Sequence, residues 1–287
     1  MSVTFPGVVP VLAVDIGGTK LDVGIVDAGG KILRRERVAT EVDDPWPGLA
    51  DLVRRVRGDD EVAAVGVGCG GPMAPGGETV TPLNIGGWRA FPLRAELSEL
   101  TGVKAYVDND AKALALGEGW IGAARDEQNF IAMVVSTGVG GGIVVDGRLL
   151  DGDSDNAGHV GHVIVEPDGA ACACGAFGCL EAEASGPSIA RATGKPASEA
   201  DAATVERTGT LVGRGIASVV NLLDLRLALV GGSVALGMGD AFFAAAQREL
   251  DARCRISFAR GARVAPVGLG ADGPLIGAAA VAYRAVS

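Results

Sequence analysis

The chain has 287 residues, with 25 Lys and Arg against 35 Asp and Glu, a net charge of −10 and a pI of about 4.8. That balance argues against duplex nucleic acid and anionic membrane surfaces as partners, since both are held through Lys and Arg. It leaves room for a phosphorylated small molecule, which needs only a local cluster of donors. Hydrophobic residues make up 48% and aromatics 4%, with 45 Gly, so a compact, turn-rich globular chain of one large or two mid-sized domains is expected, not a disordered one. No run of about 18 apolar residues suggests a membrane span. Met1–Pro10 lacks the basic and apolar regions of a signal peptide, and a cytoplasmic protein is expected.

In chain order, Val8–Val14 reads as an apolar strand ending in Asp15-Ile16-Gly17-Gly18-Thr19-Lys20. Leu21–Asp27 and Lys31–Thr40 read as the second and third strands of a β-meander. A Gly-Gly-Thr turn between strands brings backbone N–H groups close to a phosphate and adds a hydroxyl. Asp15 suits Mg²⁺, an ion that prefers oxygen ligands. The same residues also suit an ordinary Gly-Gly hairpin with a capping Asp. Pro47–Arg57 has helical spacing of Leu49, Leu52, Val53 and Val56. Glu61–Gly68 is a buried strand, and Gly66-Val67-Gly68-Cys69-Gly70-Gly71 matches the pattern G-x-G-x-x-G. Pro72 and Pro75 follow, so no helix starts where a pyrophosphate needs one. A loop exposing backbone to a small ligand, Gly71 included, is the better reading. Asn84-Ile85-Gly86-Gly87-Trp88 is a second loop with polar and aromatic contact groups.

Arg94–Thr101 is expected to be helical and Val103–Val107 a strand, followed by Asp108-Asn109-Asp110 and a helix from Ala111 to about Trp120. Asp108 or Asn109 can cap that helix. An Asp in its first turn, at the carboxyl end of a strand, also stands where open α/β sheets place ligand-contacting groups. Phe130–Ser136 and Ile143–Asp146 flank a second glycine turn, Ser136-Thr137-Gly138-Val139-Gly140-Gly141-Gly142. The likeness of the two turns suggests two related lobes. No Walker-type G-x4-G-K-[ST] motif occurs.

Asn156–Glu181 holds both histidines of the chain, His159 and His162, and three of its five cysteines. Cys172, Cys174 and Cys179 with an imidazole ten residues upstream make a plausible Cys3His zinc set, although the pair is C-x-C where C-x2-C is usual. Buried or disulfide-bonded cysteines beside an unrelated histidine are the alternative. Cys69 and Cys254 read as core thiols. Beyond this stretch, Ala184–Pro187 opens a helix, Pro196–Asp201 is a loop and Thr204–Leu223 a long helix. Leu225–Val230 is a strand ending in a third glycine turn, Gly231-Gly232-Ser233. Asp240–Ser257 is expected to be helical, Arg263–Pro266 a strand and Ala271–Ala285 a final helix.

Taken together, the three glycine turns, Asn109-Asp110 before a helix and the His/Cys cluster resemble the ROK family of bacterial sugar kinases and repressors, over roughly residues 9–285. The resemblance implies the actin-like ATPase (ribonuclease H-like) fold, an α/β architecture of two lobes with a nucleotide in the cleft between them. Residues 1–115 would form the smaller lobe, with a C-terminal helix at about 271–287 packing back on it, and 116–287 the larger lobe with the zinc loop. It also implies an ATP- and Mg²⁺-dependent kinase acting on glucose, by default at C6. Fructose, mannose, N-acetylmannosamine and N-acetylglucosamine stay open, as does a sugar-binding regulator without phosphotransfer.

By the same resemblance Asp110 is the general base. Gly71, Asn84, Asn109, His159, His162 and Glu181 face the sugar. Asp15, Gly17, Gly18, Thr19, Lys20, Thr137, Gly138, Gly140, Gly231, Gly232 and Ser233 serve the nucleotide and its Mg²⁺. His162, Cys172, Cys174 and Cys179 hold a structural zinc, and a homodimer is expected. With a first strand expected by residue 9, the winged helix-turn-helix of the family's repressors is not expected. Three departures stand out: His159 where the family usually has a sugar-binding Glu, a short segment between Ser185 and Thr204, and Lys112 where a small polar residue is more usual.

Overall fold

The computed structural model describes residues 9–41 and 43–286. Val8 of the expected first strand and the Met1–Gly7 segment lie outside the described residues. Two compact units form: one from Met1–Gly122, Asp151–Ala157 and Leu269–Ser287, the other from Ala123–Leu150 and Gly158–Gly268.

The first unit contains β1 (Val11–Ile16), β2 (Lys20–Val26), β3 (Ile32–Ala39), α1 (Trp46–Arg57), β4 (Val65–Cys69), α2 (Leu93–Thr101), β5 (Ala105–Asn109) and α3 (Asp110–Trp120). The second contains β6 (Phe130–Val135), β7 (Val139–Val145), β8 (Arg148–Leu149), α4 (Leu180–Ala184), α5 (Gly186–Thr193), α6 (Ala202–Leu223), β9 (Leu227–Gly231), α7 (Ser233–Arg253) and β10 (Arg263–Pro266). The last helix, α8 (Gly273–Val286), belongs to the first unit.

Both units carry the same five-stranded sheet. Its order is β3-β2-β1-β4-β5 in the first and β8-β7-β6-β9-β10 in the second. In each, the first strand pairs antiparallel with the second and parallel with the fourth. Since β2 also pairs antiparallel with β3, the meander expected from the strands Val8–Val14, Leu21–Asp27 and Lys31–Thr40 forms over its described residues, and the likeness of the two glycine turns reflects the same hairpin occurring once per sheet. Among the described residues no helix is long and apolar enough to cross a membrane.

The central strands read as unbroken apolar runs because both faces are covered. Side chains alternate between faces: Leu12, Val14 and Ile16 join Leu49, Leu52, Val53, Leu93 and Leu97 in one core. Val11 and Ala13 join Leu275, Ile276, Ala278, Ala279 and Ala282 of α8 in another. The small residues of α8 let it lie almost on the sheet, since a Cβ on Gly66 would fall 2.0 Å from the Ala278 carbonyl oxygen. The edge strand β3 is mostly exposed and carries Arg34, Arg35 and Arg37, charges that discourage further strand pairing.

One expected element is longer than its sequence suggested. Helix α7 starts at Ser233, not Asp240, and ends at Arg253, not Ser257. Gly239 takes φ 64° and ψ −152° inside it, so the helix is kinked there and only its second half has helical spacing free of glycine. The short helix α4, buried on most of its residues, has too few turns to display a period.

Candidate active site

In the first unit, strand register brings the acidic groups together. Asp15 on β1 lies opposite Gly68 on β4, and Gly68 lies opposite Asp108 on β5. The row ends at Asn109 and Asp110, where β5 gives way to α3. Asn109 is the helix cap, its side-chain oxygen accepting from the Ala111 N–H at 3.0 Å and the Lys112 N–H at 3.4 Å. Asp110 follows as an exposed carboxylate, one oxygen of which also accepts the Ala111 N–H at 2.8 Å. A Cβ on Gly68 would sit 3.7 Å from Asp110 Cα and 3.9 Å from Asp15 Oδ1, so the bare glycine keeps a lane open between the two acids.

Asp15 is only 6% exposed. Burial first, and then the Asp110 charge, raise its pKa to about 7. A buried acid of this kind destabilises the folded chain as pH rises from about 4 to about 7, because the folded form holds the proton that the unfolded form releases. In Mg²⁺-free buffer Asp15→Asn is therefore expected to melt above the wild type at pH 8, with the difference shrinking towards pH 4. Each tenfold change in acid strength is worth about 1.4 kcal/mol, and a thermal melt at the two pH values checks the sign. A parallel pair of melting curves would remove Asp15 as a buried ionisable site.

The turn after β1 is closed by the Gly17 N–H donating to the Lys20 carbonyl at 3.0 Å and by Thr40 Oγ1 donating to the Gly17 carbonyl at 2.7 Å. Thr19 is exposed at its tip. The Asn84 loop lies directly on this turn: a Cβ on Gly18 would come within 2.7 Å of Asn84 Cβ. Gly71, at a cis Gly71–Pro72 bond, lies beside Asn109, whose Nδ2 would be 3.8 Å from an added Cβ. The Gly17–Thr19 turn thus meets Asn84, Gly71 meets Asn109, and Gly68 separates Asp110 from the buried Asp15. The Lys20 ammonium stands 3.9 Å from Asp22, a fully buried carboxylate on β2 that also takes Arg35 and Arg37 at 2.5 and 2.7 Å.

In the second unit the turn Ser136–Gly138 follows β6, with Thr137 exposed and Gly140 just inside β7. Glu181, in the first turn of α4, accepts the Val139 N–H through Oε2 at 2.8 Å. That oxygen would be 2.9 Å from a Cβ on Gly138, so this glycine and Glu181 fit as a pair. Ser233 heads α7 after Gly231 and Gly232, and its hydroxyl lies 2.8 Å from that of Ser136. The Gly186 N–H donates to the Ser136 carbonyl at 2.8 Å. Ser136 opens the second glycine turn of the sequence, whereas Gly186 reads there only as part of a helix start, and its hydrogen bond to that turn depends on the fold.

The His/Cys cluster is a tight knuckle. The Cys172 N–H donates to Ala176 and the Gly175 N–H to Cys172, at 2.8 and 2.9 Å, with Gly175 at φ 93° and Gly178 at φ 67°. His162 Nδ1 is 3.7 Å from Cys172 Sγ, Cys174 Sγ is 3.7 Å from Cys179 Sγ, and all four ligand atoms lie within 4.8 Å of one another. Tetrahedral zinc with Zn–S of about 2.3 Å needs sulfurs roughly 3.8 Å apart, so the residues present fit that ion. The five cysteines are free thiols, which removes the disulfide alternative. His159 is exposed, its ring 6.0 Å from that of His162 and tilted 17° to it. The knuckle is tied to α6 by ion pairs of Glu183 with Arg207 and of Glu166 with Arg214.

Two topologically repeated sheets, each with a glycine turn after its first strand, are the architecture of the actin-like ATPase fold. The chain belongs to the ROK family, whose family model matches residues 11–285. It is 37% identical to an N-acetylmannosamine kinase of Citrobacter koseri over 246 residues, covering 79% of this chain and 84% of that protein. It is 40% identical to a glucokinase of Thermotoga maritima over 188 residues, or 63% of this chain, and the match spans 58% of the glucokinase. Among solved structures, a ROK glucokinase from Streptomyces griseus in complex with glucose and AMPPNP superposes with a TM-score of 0.82 at 30% identity, covering 96% of this chain and 99% of that one. Sugar kinase is thus the activity class, and the actin-like fold expected from the sequence is the one found.

Proposed function

We propose that the chain transfers the γ-phosphoryl group of Mg-ATP to a hydroxyl, by default at C6, of a hexose or N-acetylhexosamine, with N-acetylmannosamine as its preferred substrate. The observation that carries the sugar assignment is His159. The family's usual carboxylate at this position only accepts hydrogen bonds, whereas an imidazole also donates one. A donor suits the acetamido carbonyl that N-acetylmannosamine carries and glucose lacks. The match to N-acetylmannosamine kinases over most of their length supports the same reading. Glucose is the second reading, favoured by the identity to the Thermotoga maritima glucokinase.

In this reading Asp110 accepts the proton of the attacking hydroxyl, and Asn109, Asn84, Gly71, Glu181 and His159 orient the sugar. The turns Gly17–Thr19 and Thr137–Gly138 cradle the phosphates, with Lys20 alongside. Asp15 holds Mg²⁺, whose charge offsets that of the phosphates, and Gly231–Ser233 meets the adenosine side. Little covalent chemistry falls to the protein, and positioning with charge neutralisation supplies most of the acceleration. Zinc on His162, Cys172, Cys174 and Cys179 is structural, since four protein ligands leave no open position; His162 then meets the sugar side only through its outer ring edge.

The test is ADP release from Mg-ATP across a panel of hexoses and N-acetylhexosamines, for the wild type and His159→Glu. N-acetylmannosamine is expected to give the highest kcat/KM with the wild type. The substitution should shift the preference towards glucose by about tenfold or more, the scale of one hydrogen bond to a charged group. Identical selectivity in the two proteins would remove His159 from the sugar site.

A further inference from the structure

Lys112 is a buried cation that the reaction above does not use. Its side chain is 2% exposed. Nζ donates to Asp108 Oδ1 at 3.1 Å, to Asp151 Oδ1 at 2.9 Å and to the Asp155 carbonyl oxygen at 3.0 Å. These are the three partners an ammonium can serve. Arg284 of α8 completes the group, 2.8 Å from Asp151 Oδ2 and 4.0 Å from Asp108 Oδ2. Two cations thus face two carboxylates. Burial pushes Asp108 up while Lys112 pulls it down, and Asp151 is held below the usual carboxylate range against the effect of its partial burial, chiefly by Arg284 and then Lys112. Buried ion pairs add little net stability, and their best-attested use is to fix one arrangement over its neighbours.

Two segments meet on this one amine. Asp108 Oδ1 also accepts the N–H of Asn109 at 2.8 Å, so Lys112 holds the corner at which β5 becomes α3, immediately before Asn109 and Asp110. Asp151 and Asp155 belong to Asp151–Ala157, a strap that leaves the sequence of the second unit to fold with the first. The strap is fixed again by the Gly76 N–H donating to Asp155 Oδ2 at 2.6 Å and by the Ala157 N–H donating to the Asp151 carbonyl at 2.9 Å. Two residues beyond it in the chain comes His159. The lysine therefore ties the corner that carries Asp110 to the Asp151–Ala157 strap within the first unit.

We propose that Lys112 is a positioning residue for the phosphoryl acceptor, setting the Asn109–Asp110 corner against the Asp151–Ala157 strap through Asp108, Asp151 and the Asp155 carbonyl. The proposal rests on Asp110 being the base. Lys112 touches no reacting atom. Its effect should fall on the sugar step and leave the phosphate turns at Gly17–Thr19 as they are.

Steady-state kinetics on the full chain test it, with Lys112→Met, Lys112→Arg, Asp151→Asn and Asp110→Asn alongside the wild type. For Lys112→Met, kcat should fall and the sugar KM rise, together costing up to about 10²-fold in kcat/KM for the sugar, the scale of a misplacement of about 1 Å. The KM for ATP should stay within about twofold. Lys112→Arg should recover part of the loss, and Asp151→Asn should show a milder form of the same split. Wild-type kinetics in a folded Lys112→Met, or a loss of kcat that follows the folded fraction with both KM values unchanged, would overturn the proposal. If Lys112→Met does not fold, the Asp151→Asn and Lys112→Arg kinetics decide between the same two outcomes. Should Asp110→Asn keep wild-type turnover, it is the base assignment that fails; an inactive Asp110→Asn beside a wild-type-like Lys112→Met sinks the positioning role alone.

Discussion

Asp110→Asn is expected to lower kcat by roughly 10²–10⁴-fold, the usual contribution of a general base, while sugar and ATP dissociation constants change little. The substitution keeps size and shape. The helix cap belongs to Asn109, which accepts from Ala111 and Lys112, so α3 should start where it does now. The Asp110 charge is also the second-largest contributor to the raised pKa of Asp15. Removing it should let Asp15 ionise at a lower pH, which leaves the Mg²⁺-binding step intact or easier. Kinetics together with calorimetric titration of the sugar separate the two effects. A mutant kcat within a few-fold of the wild type would exclude Asp110 as the proton acceptor.

The second large effect concerns the metal. Cys179→Ser is expected to abolish stoichiometric zinc, measured by elemental analysis, and to raise the sugar KM by tenfold or more. Zinc in small structural sites is worth about 10–16 kcal/mol of apparent binding free energy, so the knuckle should not hold its shape without it. Without metal, burial and then the neighbouring thiols push the Cys179 pKa up to about 12, so that sulfur is a protonated thiol at neutral pH. Two residues after Cys179 comes Glu181, which holds the Val139 N–H. Loss of the knuckle should therefore loosen both the proposed sugar contact of Glu181 and the Ser136–Gly138 turn. Amide exchange at Val139 is the direct readout. A zinc-free protein with wild-type sugar KM and a protected Val139 would contradict the structural role.

Much of the site can be read from local sequence, because phosphate turns, helix caps and metal knuckles are local devices. Gly17-Gly18-Thr19, Asn109-Asp110 and Cys172–Cys179 each declare themselves within a few residues. What escapes such a reading depends on register and on distant partners. The row Asp15–Gly68–Asp108 exists only because β1, β4 and β5 pair in that register. Lys112 stands where a small polar residue is more usual, and its partner Asp151 lies 39 positions away in the chain. Glu181 reads as a sugar ligand, yet its hydrogen bond to a turn 42 residues earlier is invisible in the sequence. The glycine count misleads as well. It suggests turns, but Gly209 and Gly213 sit within α6, where an added Cβ would come within 2.5 Å of the Phe242 and 2.3 Å of the Ala246 carbonyl oxygens of α7. Helix contact, not chain reversal, requires them.

Phosphorus NMR of a reaction of the wild-type chain with Mg-ATP and N-acetylmannosamine, followed to completion, tests phosphoryl transfer to a sugar most directly. The expected result is a new sugar phosphomonoester, coupled to the C6 protons, appearing in step with ADP. ADP accompanied only by inorganic phosphate, or no consumption of ATP with this sugar, glucose or any other member of the panel in folded, zinc-loaded protein, would contradict it.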